Sequence, residues 1–234
     1  VGSEMCIRDR DLISTLPAEG GKHVVTDTPA PTEAPVATEE PTAEPTAEAE
    51  TSITRGTWTD GVYYNATAGF NFTPPENWLL ADDEYIAQLV GVSKEMLGTE
   101  GEDLSDHEVV YDTFVQNPDN GTNVFIIYQK VSMLGALGIG IGDIMDEIVK
   151  QMGENTAMNC TYVGTTEQTL GSTDYQCAEF DVDISGITIK QYILVNKFMN
   201  YTTNITITAM ASEPIEEFLP MFTSAQTAMA DCCG

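Results

Sequence analysis

Positive charge and imidazole are what this chain has least of. Its 234 residues carry 9 Lys and Arg against 37 Asp and Glu, for a formal net charge of −28, and 2 His. A field of that sign repels phosphate backbones and anionic headgroups, which argues against nucleic acid and acidic lipid as main partners. It favours cations or a basic protein. His23 precedes a proline-rich stretch, so His107 is the one imidazole left for a folded domain, and it sits in an acidic loop, EGEDLSDHE. No serine stands in a G-x-S-x-G nucleophile elbow, and no C-x-x-C pair is present. There is no uninterrupted apolar run of 18 residues, the length a membrane-spanning helix needs.

The acidity is uneven. Residues 1–55 hold 11 acids and 4 bases, which leaves 26 acids and 5 bases for residues 56–234, net −21. From Thr26 to Thr51 the chain reads TDTPAPTEAPVATEEPTAEPTAEAET. Proline fixes φ and removes N–H donors, and the glutamates repel one another, so this stretch has no means of forming a packed core. It is expected to act as an extended spacer reaching roughly 80 Å at about 3.1 Å per residue. The expected organisation is a disordered segment over 1–25, a linker over 26–55 and a globular domain over 56–230. Val1 to Arg10, VGSEMCIRDR, resembles translated sequencing-adapter sequence. On that reading a signal peptide and a lipidated cysteine belong upstream.

Beyond the linker the pattern is mostly β. Short strands are predicted at Val62–Asn65 and Gly69–Thr73, with Pro74–Pro75 ending the second. Asp82 is the expected N-cap of a helix reaching Val90 or Leu97. Val109–Gln116 and Asn123–Val131 form a hairpin around the NPDNG turn. A helix capped by Asp143 follows, with Ile144, Ile148, Val149 and Met152 on one face. Strands then run over Cys160–Thr166, Tyr175–Ile184, Ile187–Asn196 and Tyr201–Met210. In the second of these, Ala178, Phe180, Val182 and Ile184 are expected to face inward, and Cys177, Glu179, Asp181 and Asp183 outward. A last helix is expected from Ser212, shortened by Pro220. Hairpins and short connections imply an α+β fold: one antiparallel sheet of six or seven strands with about three helices.

The stretch TWTDGVYYNATAGFNFTPPENW, Thr57 to Trp78, carries the most specific pattern. Through Trp58, Tyr63, Asn65, Gly69, Phe70, Pro75 and Trp78, placed behind a Pro/Thr/Glu linker, the chain resembles the PsbP-like domains of bacterial extracytoplasmic lipoproteins. The resemblance implies a PsbP-like α/β/α sandwich, anchoring at the cell surface and no reaction.

No catalytic, cofactor or metal residues are assigned, and folding is expected to need no cofactor. Gly135–Asp143, GALGIGIGD, lacks the third glycine and the Lys-Ser/Thr of a phosphate loop. Glu100–Glu108 departs from the calcium-loop pattern and reads as surface charge. Setting Cys6 aside, Cys160, Cys177, Cys232 and Cys233 allow three pairings. A turn at Gly171–Ser172 would set Cys177 opposite Thr166 rather than Cys160. The N-x-Thr triplets, Asn65 among them, read as solvent-facing Asn and Thr two apart on strands. Trp58, Tyr63, Tyr64 and Trp78 are the candidate ligand platform, set against a packing role. The functional expectation is a monomeric, surface-tethered, non-enzymatic domain that binds or scaffolds an envelope component. The alternatives are an accessory subunit of a membrane complex and a carboxylate-based hydrolase.

Overall fold

The computed structural model describes residues 52–65, 68–131, 139–155, 158–198 and 200–225. The expected N-terminal segment, the PTAE linker up to Thr51, Cys6, Cys232, Cys233 and the glycine-rich residues 132–138 lie outside the described residues. Ser52 opens the domain. Ile53 is buried and Arg55 is half-buried and ion-paired with Asp83, so residues just before the expected boundary at Gly56 are packed into the domain.

Among the described residues eleven strands form two antiparallel sheets. The small sheet joins β1 (Thr57–Thr59), β2 (Val62–Asn65), β3 (Phe70–Phe72) and β11 (Phe222–Ser224). The large sheet has seven strands. These are β4 (Leu79–Leu80), β5 (Val109–Gln116), β6 (Asn123–Lys130), β7 (Asn159–Leu170), β8 (Thr173–Ile184), β9 (Ile187–Phe198) and β10 (Tyr201–Met210). Their spatial order is β4-β5-β6-β10-β9-β8-β7. The α+β antiparallel architecture follows the sequence expectation, with the short N-terminal strands forming a sheet of their own.

The register explains how both faces are covered. Phe114, Phe125, Thr206, Ile193 and Ala178 are successive cross-strand partners, so they share one face. Their neighbours Ile126, Ile205, Leu194, Cys177 and Thr166 line the other. Strand alternation separates the two rows by one residue. On the first face lie α1 (Asp83–Val90), whose Ile86 and Ala87 pack on Phe114, and α2 (Ile141–Glu154), packed on Ala178, Phe180, Val182, Ile193 and Val195. On the second face Tyr63, Phe70, Phe72 and Phe222 of the small sheet pack on Val124, Ile126, Leu194, Ile205 and Ile207. Cys177 is therefore buried rather than outward. Ile184, expected inward, is 51% exposed at the hairpin tip. Alternation marks a solvent face only when one side of a sheet is bare.

Local chemistry accounts for the helix ends. The Asp82 side chain accepts from the Tyr85 N–H at 2.8 Å, and α1 stops at Gly91 in the left-handed conformation. A separate 3-10 turn spans Lys94–Leu97. Gly140, not Asp143, is the N-cap of α2. Asp143 sits three residues inside and accepts from the Gly140 N–H at 2.8 Å, half of a capping box. The expected last helix is two 3-10 turns, Ile215–Glu217 and Leu219–Met221, running into β11. Pro214 and Pro220 stand too close together for an α-helix to grow between them.

At the β7–β8 turn Gly171 has φ 62°. A Cβ there would stand 2.8 Å from the Thr223 carbonyl oxygen and 3.1 Å from Phe70 Cβ, so this turn fits against β11 and β3 only as glycine. Gly171→Ala should destabilise the domain by at least about 2 kcal/mol. Gly61→Ala should cost about half as much, because Gly61 shares the positive φ but a Cβ there meets nothing within 4 Å. Thermal melts of the two variants check this. Equal shifts would show that the close approach to Thr223 contributes nothing.

Candidate functional site

Polar chemistry gathers at two places, one sealed and one open. The sealed place is built on a β-bulge. Tyr111 pairs with Ile127 and Thr113 with Ile126, so Asp112 is the extra residue of β5. A bulge re-aims side chains, and here it turns both Asp112 and Thr113 toward the small sheet. The Asp112 carboxyl is 2% exposed. It accepts from the Gly56 N–H at 2.9 Å and, over a very short contact, from the Tyr63 hydroxyl. The Asn65 amide nitrogen lies 3.1 Å from Asp112, 2.9 Å from the Tyr63 oxygen and 2.6 Å from the Tyr128 oxygen. Asn65 Oδ1 accepts from the Ala68 N–H at 2.9 Å, which fixes the amide with its donors toward the carboxyl. Thr113 takes the Trp58 indole N–H at 3.1 Å.

Arg55 closes the knot from outside. Its Nη2 donates at 2.8 Å both to the Asp112 backbone carbonyl and to the Asp83 carboxylate, and Nη1 donates to the Gly98 carbonyl at 3.3 Å. One guanidinium thus joins β5, α1 and the 3-10 turn to the start of the domain. Burial pushes the Asp112 carboxyl above its ordinary range, against the lowering effect of the Tyr63 and Gly56 hydrogen bonds and of Arg55. Burial first, then the Asp112 charge, holds the Tyr63 hydroxyl well above its usual value. Tyr63 therefore acts as a neutral donor. With Asp112, Tyr63, Asn65 and Tyr128 all buried and bonded to one another, the knot's chemistry is that of a fastener.

The open place is a cleft of about 340 Å³ on the small-sheet side, at the far end of the large sheet. Thr166 and Gln168 of β7, Glu179 of β8 and Lys190 and Tyr192 of β9 line it beneath residues 211–216. Lys190 makes a very short contact with Glu179 and a 3.0 Å contact with Asp181. These two hydrogen-bonded partners raise its ammonium pKa, with burial opposing. The Tyr192 hydroxyl donates to the Glu213 carbonyl at 3.0 Å.

The four candidate aromatics do not form one surface. Tyr63 is wholly buried, and Trp58 and Trp78 pack against the main core. Tyr64 faces the other way and is 42% exposed. Asn65 is a buried donor rather than a solvent-facing residue. Cys177 pairs with Thr166, as the turn position implies, and Cys160 lies across from Val182. The two cysteines pack in clusters on opposite faces of the sheet. Carboxylates of the Glu100–Glu108 loop fasten its turns: Glu102 accepts from the Thr99 N–H and hydroxyl, and Asp103 from the Ser105 N–H. Among the described residues no three of His, Cys, Asp and Glu converge on a point that could hold a metal ion. Asp112 was missed in the sequence reading. The available signal was an aspartate in the middle of VVYDTFVQ, since aspartate is depleted in strands.

No family model matches the sequence, and neither does any curated protein. Solved structures to which the chain is similar include these two. The solution structure of cyanobacterial PsbP (CyanoP) from Synechocystis sp. PCC 6803 matches with a TM-score of 0.44 and 11% identity, over 75% of this chain and 95% of that one. A crystal structure from Bacteroides thetaiotaomicron VPI-5482 matches with a TM-score of 0.38 and 13% identity, over 70% of this chain and 48% of that one. Likenesses of this size concern the path of the backbone, and no residue role is carried over from either protein.

The knot makes a signed prediction. The raised pKa means that the folded protein holds the Asp112 proton more tightly than the unfolded chain does. Its contribution to stability is therefore present below the unfolded value and lost as pH rises through the folded one. Asp112→Asn puts an amide donor where donors already point and should destabilise the domain, by about 1–3 kcal/mol. The deficit should be largest near pH 4 and shrink toward pH 7. Denaturant titrations of both proteins at several pH values measure it. A deficit that grows with pH would mean that the ionised carboxylate is the form the fold prefers.

Proposed function

We propose that this is a non-catalytic binding domain, displayed outside the cytoplasm at the end of its proline-rich stalk, that holds a basic partner through its carboxylate surface. One observation carries the reading: five of the six bases among the described residues are already held by carboxylates or carbonyls of the domain itself. Arg55 is tied to Asp83 and to two backbone carbonyls. Lys190 is held by Glu179 and Asp181. Lys130 donates to the Ser105 carbonyl and Lys197 to the Ile139 carbonyl, and Lys150 pairs with Glu147 along α2. Few cations remain to offset the surface acids, and a field of one sign steers an oppositely charged partner.

The placement of the titratable groups supports binding over turnover. The carboxyl that burial lifts, Asp112, belongs to the sealed knot and does not line the cleft. Of the carboxylates lining the cleft, Glu179 is engaged by the Lys190 ammonium. Among the described residues no helix is long and apolar enough to cross a membrane. Anchoring through a lipid upstream of the stalk belongs to the same proposal.

The full chain should bind immobilised polylysine, and raising salt from 0.1 M to 1 M should weaken binding by at least about tenfold, as the Debye length shrinks from about 10 Å to about 3 Å. Binding that ignores salt would remove the electrostatic basis. Turnover in a hydrolase panel that disappears on neutralising a single carboxylate would replace the binding reading with an enzymatic one.

A further inference from the structure

The two edges of the large sheet are treated differently. At one end β4 is two residues long, Leu79–Leu80, which leaves little ladder to pair with. At the other end β7 runs twelve residues and, among the described residues, pairs with β8 alone. Eleven of those twelve residues are exposed or half-buried, the exception being Leu170. Folded proteins usually guard such an edge with lysine, proline or short length. NCTYVGTTEQTL contains neither lysine nor proline. A single irregularity, between Tyr162 and Gly164, divides it and leaves Gly164–Thr169, GTTEQT, as a regular stretch that is half threonine. Six strand residues span about 20 Å.

The cleft opens along this stretch, since Thr166 and Gln168 form its near wall. Side chains of a strand added beside β7 would alternate between the two sheet faces, and those on the small-sheet side would pass over Thr166 and Gln168 into the cleft. There they would meet Glu179 and Glu216, with Lys190 already neutralised by Glu179 and Asp181. The cleft lining sets two carboxylates, Glu179 and Glu216, against one ammonium that Asp181 also holds from beside the cleft, so the cleft suits a cation. A long arginine or lysine side chain can reach in from the edge with its stem along the wall.

We propose that Gly164–Thr169 of β7 receives an extended basic segment of a partner protein, which adds an eighth strand to the sheet and places arginine or lysine side chains in the cleft. Backbone pairing supplies affinity, and the alternate basic residues supply selectivity. The inference rests on the reading of the domain as a binder of basic partners and names where and in what form the partner docks.

The test uses the full chain and two probes of equal charge, a (Thr-Arg)4 peptide and tetra-arginine. Binding is followed by titration, and the amide hydrogen exchange of Gly164–Thr169 is followed residue by residue. The expected result is that (Thr-Arg)4 binds more tightly than tetra-arginine and slows exchange at alternate residues of this stretch by at least about tenfold. Glu216→Gln, at an exposed site, should weaken (Thr-Arg)4 about two- to fivefold. Equal binding of both probes with unchanged exchange would overturn strand addition while leaving the broader electrostatic reading in place. Failure of both probes and of polylysine would remove that reading as well. Slowed exchange that appears with rising protein concentration and no peptide would identify a second copy as the occupant and overturn the basic segment.

Discussion

Asp112 is out of water and must be bonded on every side, and the rest of the domain is arranged around that requirement. An unpaired buried carboxyl costs several kcal/mol, more than most single contacts return. The bulge in β5 puts the group where the small sheet can reach it, and the small sheet is placed by doing so. Tyr63 and Asn65 come from β2 and Gly56 from the residue before β1, while Tyr128 comes from β6. Hydrophobic contact between the sheets would tolerate sliding, since Phe70, Phe72 and Phe222 meet a broad apolar floor. Directional bonds to one carboxyl allow a single register.

That constraint also explains why Arg55 belongs to the domain although its sequence surroundings read as linker. The guanidinium reaches the Asp112 carbonyl, the Gly98 carbonyl and the Asp83 carboxylate together. A lysine could not present the same fork of planar donors. Ile53 is held in a similar manner, with its carbonyl accepting from the Leu104 N–H at 2.8 Å, so the acidic loop and the start of the domain are sewn together.

The sequence was legible where one local rule decided the outcome. Strand positions followed from alternation and turns. The pairing of Cys177 with Thr166 followed from the two-residue turn at Gly171–Ser172, and the α1 cap followed from Asp82. It was misleading where a distant element decided. The outward residues of β8 were assigned on the premise of a bare face, and Cys177 is instead buried in the core shared with the small sheet, three of whose four strands lie more than 100 residues before it. Asn65 looks like any N-x-Thr asparagine until Asp112, 47 residues on, is placed beside it. The bulge leaves no mark in VVYDTFVQ apart from the aspartate itself. At the site level the cleft was wholly illegible, because its walls come from β7, β8, β9 and the 211–216 segment, and only folding brings them together.

The division between a sealed polar interior and an acidic exterior bears on how an open edge strand can be tolerated. An unguarded edge invites pairing with another copy of the same chain. Strand pairing brings backbones to about 4.8 Å, inside a Debye length of about 8 Å at physiological ionic strength. At that range the acids Glu167 of β7 and Asp183 of β8 would face their own equivalents with little screening, whereas Glu179 and Asp181 are held by Lys190. Self-pairing is therefore opposed by like charge rather than by a lysine or proline in the strand. The same charge does not oppose a basic segment, which gains from the field that repels a second copy. If the edge binds as proposed, it would be selective by sign, open to cationic strands and closed to its own kind, and raising the salt concentration would relax both effects together.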